Sequence, residues 1–87
     1  MNTERTEWRP VESSFIDAIA WESLDPEEKR QDDPREAGWC LIDIRGTVYV
    51  YSAPAWAYGL LCSAAARGVS VGRVYSKVIR GHFPRAT

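Results

Sequence analysis

The clearest pattern in the chain is a pair of short apolar runs, WCLIDI (39–44) and TVYVYS (47–52), separated by two residues. Both runs are rich in β-branched and aromatic residues, and the separating pair, Arg45 and Gly46, contains a glycine. Such a pattern is typical of two antiparallel strands joined by a two-residue turn. The sequence therefore predicts a β-hairpin.

This turn also sets which side chains share a face, because directly paired residues point to the same side of a sheet. Tyr51 then lies opposite Cys40, and Tyr49 lies opposite Ile42. We expect both tyrosines to help to build the core, with their hydroxyl groups at its edge. A platform on which a nucleobase could stack is the alternative. The reverse face is predicted to carry Trp39, Leu41, Asp43, Val48 and Val50.

A further apolar segment, SSFIDAIAWE (13–22), precedes the hairpin and predicts a first strand. Alternation divides this strand into two faces. One face is expected to hold Phe15, Asp17, Ile19 and Trp21, and the other Ile16, Ala18 and Ala20.

The first of two predicted helices begins at Pro54, with Ser52 or Ala53 as its N-cap, and ends at Gly68. Its buried stripe is expected to comprise Ala57, Leu61 and Ala64, flanked by Tyr58, Cys62 and Ala65. Gly59 is expected to allow close packing of the helix backbone.

The second helix covers RVYSKVIR (73–80), with Ser70 as its cap and Gly81 at its end. Its inward side chains are predicted to be Val74, Tyr75, Val78 and Ile79. Arg73, Lys77 and Arg80 recur at helical spacing along one exposed edge. The predicted fold is thus α+β, a three-stranded antiparallel sheet (β-β-β) followed by two helices packed on one face, in one domain over residues 1–87.

Charge is distributed very unevenly along the 87 residues. Residues 1–43 hold all twelve carboxylates and five Lys or Arg, a net −7, whereas residues 44–87 hold six Lys or Arg and no carboxylate. This asymmetry predicts a charged partner, or two halves that complement each other within the fold or between copies. Much of the acidity lies in a proline-containing loop at about 23–38, predicted to be an exposed insertion.

Few residues suit catalysis or metal binding. The only histidine, His82, follows the last predicted helix, and the two cysteines, Cys40 and Cys62, stand among apolar neighbours without metal-ligand spacing. We therefore predict a protein without enzymatic activity, metal or cofactor, with reduced thiols. No apolar run is long enough to span a membrane and the amino terminus lacks a signal-peptide pattern, so a cytoplasmic location is predicted.

Several short motifs, in order and spacing, resemble the KTSC domain, a module named after the carboxyl terminus of some lysyl-tRNA synthetases. The matching residues are Ser13, Ser14, Ile16, Tyr49, Tyr51, Ser70, Gly72, Tyr75, Ile79 and Arg80. The resemblance covers about residues 11–84 and implies a small non-enzymatic RNA-binding protein. The chain departs from the family at Phe15 and Ser76, where asparagine is usual, and in the acidic loop.

Two functions follow from these features. The first is binding of RNA or single-stranded nucleic acid through the basic C-terminal helix, with Tyr75 or Phe83 for stacking. The residues predicted for it are Arg67, Arg73, Tyr75, Lys77, Arg80, His82 and Arg85. The isoelectric point of about 5.8 is lower than such domains usually have.

The alternative is a protein-interaction module, such as a phage-encoded inhibitor of a host defence complex of the anti-CRISPR kind. Its acidic loop would imitate nucleic-acid phosphates and dock on a basic channel of a larger host complex. The residues predicted for this contact are Asp25, Glu27, Glu28, Asp32 and Asp33.

Overall fold

A computed structural model describes residues 6–24 and 35–86 of the chain. An antiparallel sheet of four strands is followed by two consecutive helical elements. The strands are β1 (Arg9–Pro10), β2 (Ala18–Ser23), β3 (Gly38–Ile44) and β4 (Thr47–Ser52), in the spatial order β1-β2-β3-β4. The helices are α1 (Ala55–Arg67) and α2 (Val71–Val74), and α2 continues into a π-helical turn (Tyr75–Ile79). The α+β class is confirmed, but the prediction of three strands is wrong.

The additional strand, β1, pairs only two residues with β2. A strand this short has no alternation of its own, and proline is tolerated only where a strand lies at a sheet edge. The predicted first strand also began too early. Residues 14 and 15 form a bend in which the Ser13 hydroxyl accepts the backbone N–H of Ile16 at 3.4 Å, and β2 starts at Ala18. Ile16 consequently packs with Ile19 in the same core cluster instead of on the opposite face.

The predicted hairpin is confirmed with its register, since Cys40 pairs with Tyr51 and Ile42 with Tyr49. Arg45 and Gly46 both adopt positive φ, 52° and 88°, as a type I′ turn requires. The Asp43 carboxylate accepts the backbone N–H of Gly46 at 2.9 Å and stabilises this turn.

The two faces of the sheet are covered unequally. On the helix side, the main core joins Ile19, Cys40, Ile42 and Tyr51 to residues of α1 and the second helical element. On the other side, a small cluster of Ala20, Leu41 and Val50 lies under the half-buried rings of Trp8 and Trp39. The predicted division of the hairpin residues between the faces is therefore confirmed.

Helix α1 ends at Gly68 as predicted, with the glycine in the left-handed region at φ 72°. Its predicted buried stripe is also confirmed. The prediction of Ser52 or Ala53 as N-cap is wrong, because Pro54 occupies that position without a side-chain cap. The first helical N–H, of Ala55, instead donates to the Glu36 carbonyl at 2.9 Å. Gly59 does not serve close packing, since an added Cβ there would meet no atom within 4 Å.

The predicted Ser70 cap is confirmed, since its hydroxyl accepts the N–H of Arg73 at 3.2 Å, but the second helical element begins at Val71, two residues before the predicted start. It does not continue as a regular α-helix. The N–H of Arg80 donates to the carbonyl of Tyr75 at 3.0 Å, five residues earlier, which is the π-helical pattern. This wider turn was not predicted.

Beyond the π-turn, the chain returns to the sheet. The N–H of Ser52 donates to the Pro84 carbonyl at 3.0 Å, and the N–H of Ala86 donates to the Val50 carbonyl at 2.7 Å. Residues 84–86 thus run along the edge of β4, where Arg85 forms an isolated antiparallel β-bridge with Tyr51. We call this segment the tail strap.

Candidate nucleic-acid interface

Six of the seven residues predicted to contact nucleic acid are exposed. These are Arg67, Arg73, Lys77, Arg80, His82 and Arg85. Within the part of the chain that the structure describes, none of the five cations among them forms an ion pair with a carboxylate.

Tyr75 is the exception, because it is only 3% exposed and belongs to the main core. Its ring packs edge-on against Tyr51, with 5.8 Å between ring centroids, and the two hydroxyls are hydrogen-bonded at 2.5 Å. A ring so enclosed offers no face for a base to stack on, so the burial of Tyr75 supports its predicted inward position rather than its predicted stacking role.

Burial raises the pKa of the Tyr75 hydroxyl, and the hydrogen bond with Tyr51 raises it further. The nearby positive charge of Arg80 acts in the opposite direction but is the smaller influence. Tyr75 is consequently a neutral phenol, able to donate its proton in a hydrogen bond, throughout the physiological pH range.

These two tyrosines line a cavity of about 260 Å³ between the sheet and the π-turn. Four of the seven described residues that line it are aromatic. The contributing rings are those of Phe15, Tyr49, Tyr51 and Tyr75. Ile44, Arg80 and Arg85 complete the lining. We call this space the aromatic cavity.

Two different elements bring the arginines to the aromatic cavity. Arg80 follows directly on the π-turn, whose last hydrogen bond joins its N–H to the carbonyl of Tyr75. Arg85 is carried by the tail strap, and its guanidinium lies 5.4 Å from the centroid of the Tyr49 ring, in cation–π contact. Arg67, Arg73, Lys77 and His82 do not line this cavity.

Phe83, the other ring predicted to stack, contacts Trp56 edge-on at 5.7 Å between centroids. Phe83 is half-buried, whereas Trp56 of α1 is 44% exposed. An aromatic pair therefore stands next to the basic tail, with Trp56 offering the more accessible ring. The exposure of Trp56 was not predicted.

The motif residues at the start of the chain meet the second helical element. A Cβ added to Gly72 would lie 2.5 Å from the Phe15 ring and 3.1 Å from the Ser13 hydroxyl. Only glycine thus leaves room for the bend at residues 13–15. A second, larger cavity of about 530 Å³ lies beside this bend, lined by residues that include Arg9, Ser13, Ser14 and Ser70.

The carboxylates predicted to dock on a protein partner, from Asp25 to Asp33, lie outside the described residues. Among the residues the structure does describe, no group of three or more His, Cys, Asp or Glu side chains is placed to hold a metal ion. None of the helices in that same part of the chain has the length and apolarity needed to cross a membrane.

Sequence reasoning found the cations but missed the aromatic cavity. Phe15, one of the rings that line it, was predicted only as a residue on one face of the first strand and as a departure from the KTSC pattern. Arg85 was predicted only as one of several basic residues beyond the last helix. No local pattern indicates that residues 15, 49, 80 and 85 meet.

Comparison with protein-family models finds no match to this chain, and comparisons with curated proteins and with solved structures find none either. The KTSC assignment therefore stays a prediction that depends on the motifs alone.

Proposed function

We propose that this protein is a non-enzymatic RNA- or single-strand-binding protein that contacts phosphates through its basic C-terminal region. The observation that carries the proposal is a set of exposed cations, none of them paired with a carboxylate of the described residues, on a half of the chain that has no acidic side chain. Phosphate contacts by Lys and Arg supply most of the affinity of sequence-independent binding. The low overall isoelectric point reflects carboxylates that all precede Ile44.

The aromatic side chains beside these cations favour a single strand over a duplex. Proteins that bind single strands combine a basic surface with rings that contact unstacked bases, and a duplex offers no free base face. Arg80 and Arg85 line the aromatic cavity, and Trp56 contacts Phe83, which follows His82 in the chain. The KTSC resemblance supports the same function, and two free cysteines fit a reducing, cytoplasmic setting.

Filter binding with a labelled single-stranded RNA of roughly 16 nucleotides, at about 50 and about 200 mM salt, tests the proposal. We expect affinity to fall steeply with salt. Changing Arg73, Lys77 and Arg80 together to glutamine should weaken binding at least about tenfold and reduce the salt slope by about 2, since each phosphate contact on a single strand contributes about 0.7.

The matched control changes Arg9, Lys29 and Arg30 to glutamine, which alters net charge by the same amount within the acidic half. This control should bind nearly as the wild type does. Undetectable RNA binding, binding that does not depend on salt, or an equal loss in both variants would contradict the proposal.

The protein-docking function stays a prediction, because it depends on carboxylates outside the described residues. Deletion of residues 25–36 separates it from RNA binding. RNA affinity should survive the deletion if the basic surface is the site. A host protein complex that binds the full chain but not the deletion variant, without competition by RNA, would favour docking instead.

A further inference from the structure

The four rings that line the aromatic cavity differ in how far they are exposed. Tyr51 and Tyr75 are each 3% exposed, so their faces are occupied by the core. Phe15 and Tyr49 are half-buried and keep part of their surface accessible. A volume of about 260 Å³ exceeds the roughly 150 Å³ in which an apolar protein cavity binds benzene. The space therefore suffices for a planar ring together with an attached polar group.

The hydroxyl groups of Tyr51 and Tyr75 give the cavity its capacity to form hydrogen bonds. Two phenols carry two protons, and the single hydrogen bond between the Tyr51 and Tyr75 oxygens uses one of them. The second proton has no further acceptor among the contacts of these two residues in the described chain. A ligand oxygen or ring nitrogen that enters the cavity would accept it.

Two guanidinium groups provide the charge. Arg80 is close enough to influence the Tyr75 hydroxyl electrostatically, and Arg85 lies over the Tyr49 ring. Guanidinium groups bind phosphate oxygens in a planar, two-pronged geometry. The cavity thus combines accessible aromatic surface, a free hydroxyl donor and two cations, and none of its lining residues in the described part of the chain carries a carboxylate.

We propose that the aromatic cavity binds one unstacked nucleotide of a single strand. Its base contacts the rings of Phe15 and Tyr49 and accepts the free proton of the tyrosine pair, while Arg80 and Arg85 hold its phosphate. This inference rests on the proposed function. It adds a binding site for one nucleotide to a surface that is otherwise proposed to contact only the phosphates.

A nucleotide is favoured over a phosphorylated tyrosine of a peptide because further cations stand on the same helical element. Arg73 and Lys77 are exposed and precede Arg80 by seven and three residues. A polynucleotide places a phosphate at every unit and can use these cations in succession, whereas a phosphotyrosine brings one phosphate.

Calorimetric titration of the full chain with uridine 5′-monophosphate and with adenosine 5′-monophosphate tests the subsite. We expect at least one of them to bind at least about tenfold more tightly than ribose 5-phosphate or inorganic phosphate, because only the nucleotides bring a base to the rings. The Arg80→Gln/Arg85→Gln variant should lose at least about tenfold in affinity. The matched Arg73→Gln/Lys77→Gln variant should retain it.

A second variant addresses the rings. Tyr49→Leu keeps an apolar side chain but removes the aromatic face, so nucleotide affinity should fall about tenfold while ribose 5-phosphate is unaffected. Circular dichroism of each variant establishes that it is folded. If the double arginine variant unfolds, Tyr49→Leu and the Arg73→Gln/Lys77→Gln control still decide the question.

The outcomes separate the two proposals. Salt-dependent RNA binding without mononucleotide binding would overturn the subsite and leave the proposed function standing. Equal affinity for inorganic phosphate and for nucleotides would also overturn it, as would tighter binding of a phosphotyrosine peptide. If the wild-type protein binds neither RNA nor mononucleotides, both proposals are refuted.

Discussion

Tyr49 and Tyr51 point to the same face of β4, yet their surroundings differ. Tyr51 lies opposite the buried Cys40, and its hydroxyl meets Tyr75 inside the core. Tyr49, two residues nearer the turn, is half-buried and packs under the guanidinium of Arg85. One tyrosine therefore contributes to stability, whereas the other is positioned to contact a ligand.

Cys40 illustrates how burial controls an ionisable residue. It is fully buried in the main core, and burial, with a smaller influence from Cys62, raises the pKa of its thiol to about 12 from its usual 9.0. Burial likewise raises the pKa of Tyr58 and Tyr75. All three groups hold their protons more tightly in the folded state than in the unfolded state.

We expect the free energy of unfolding to fall as pH rises above about 9. A group whose folded pKa is raised contributes fully below its unfolded pKa and loses that contribution as pH approaches the folded pKa. For Cys40 the window runs from 9.0 to about 12, with a slope of up to about 1.4 kcal/mol per pH unit. Urea unfolding at several pH values between 7 and 11 measures this fall in the free energy of unfolding.

The Cys40→Ala variant should be less stable than the wild type at neutral pH, by about 1 kcal/mol, because it leaves a small void. Its stability should fall less steeply above pH 9, so that the difference narrows or reverses. An unchanged slope in this variant would show that Cys40 ionisation does not contribute to alkaline unfolding.

At the scale of elements, glycines of similar appearance in the sequence have opposite structural roles. At Gly38, the first residue of β3, an added Cβ would overlap the Trp21 indole and the Glu22 carbonyl oxygen. That indole donates to the Ala53 carbonyl at 3.0 Å and so links β2 to the start of α1. Gly59 of α1 is exposed and meets nothing.

Gly38→Ala should destabilise the protein by about 1–3 kcal/mol, because the indole of Trp21 must move and the carbonyl of Glu22 cannot easily do so. Gly59→Ala should stabilise it by up to about 1 kcal/mol, since alanine is the better helix former. Thermal or urea unfolding of the two variants, compared with the wild type, shows whether each substitution lowers or raises the free energy of unfolding. Equal effects would be inconsistent with the packing described.

The hairpin, α1 and the start of the second helical element were all predictable, since each has its own local signal. These signals are the Arg45-Gly46 turn, the buried stripe of α1 with Gly68 at its end, and the Ser70 cap. β1 and the π-turn lacked such signals. Two paired residues show no alternation, and the π-turn differs from an α-helix only in which carbonyl accepts the N–H of Arg80.

For the whole molecule, the tail strap closes one edge of the sheet and one side of the aromatic cavity. Its backbone makes two hydrogen bonds to β4, and its Arg85 covers the Tyr49 ring. An open edge strand presents unpaired backbone groups that invite pairing with another chain. The strap therefore connects stability, edge protection and the candidate site.

Removal of residues 84–87 should lower the free energy of unfolding by about 1–3 kcal/mol through loss of these two hydrogen bonds. The exposed edge of β4 should also promote concentration-dependent association, measurable by sedimentation. Arg85→Gln is the control, because it keeps the backbone of the strap. If this substitution reproduces the association, the side chain rather than the backbone protects the edge.

By itself, the sequence determined the local elements, the faces of the hairpin and the separation of charge, because turn chemistry, side-chain periodicity and composition act over short distances. The tertiary structure alone decided that Phe15, Tyr49, Tyr75, Arg80 and Arg85 surround one cavity, and that Trp56 is left exposed. Residues 15 and 85 stand near opposite ends of the chain. Their meeting depends on how the helices cover the sheet and on the return of the tail to β4, which no local pattern encodes.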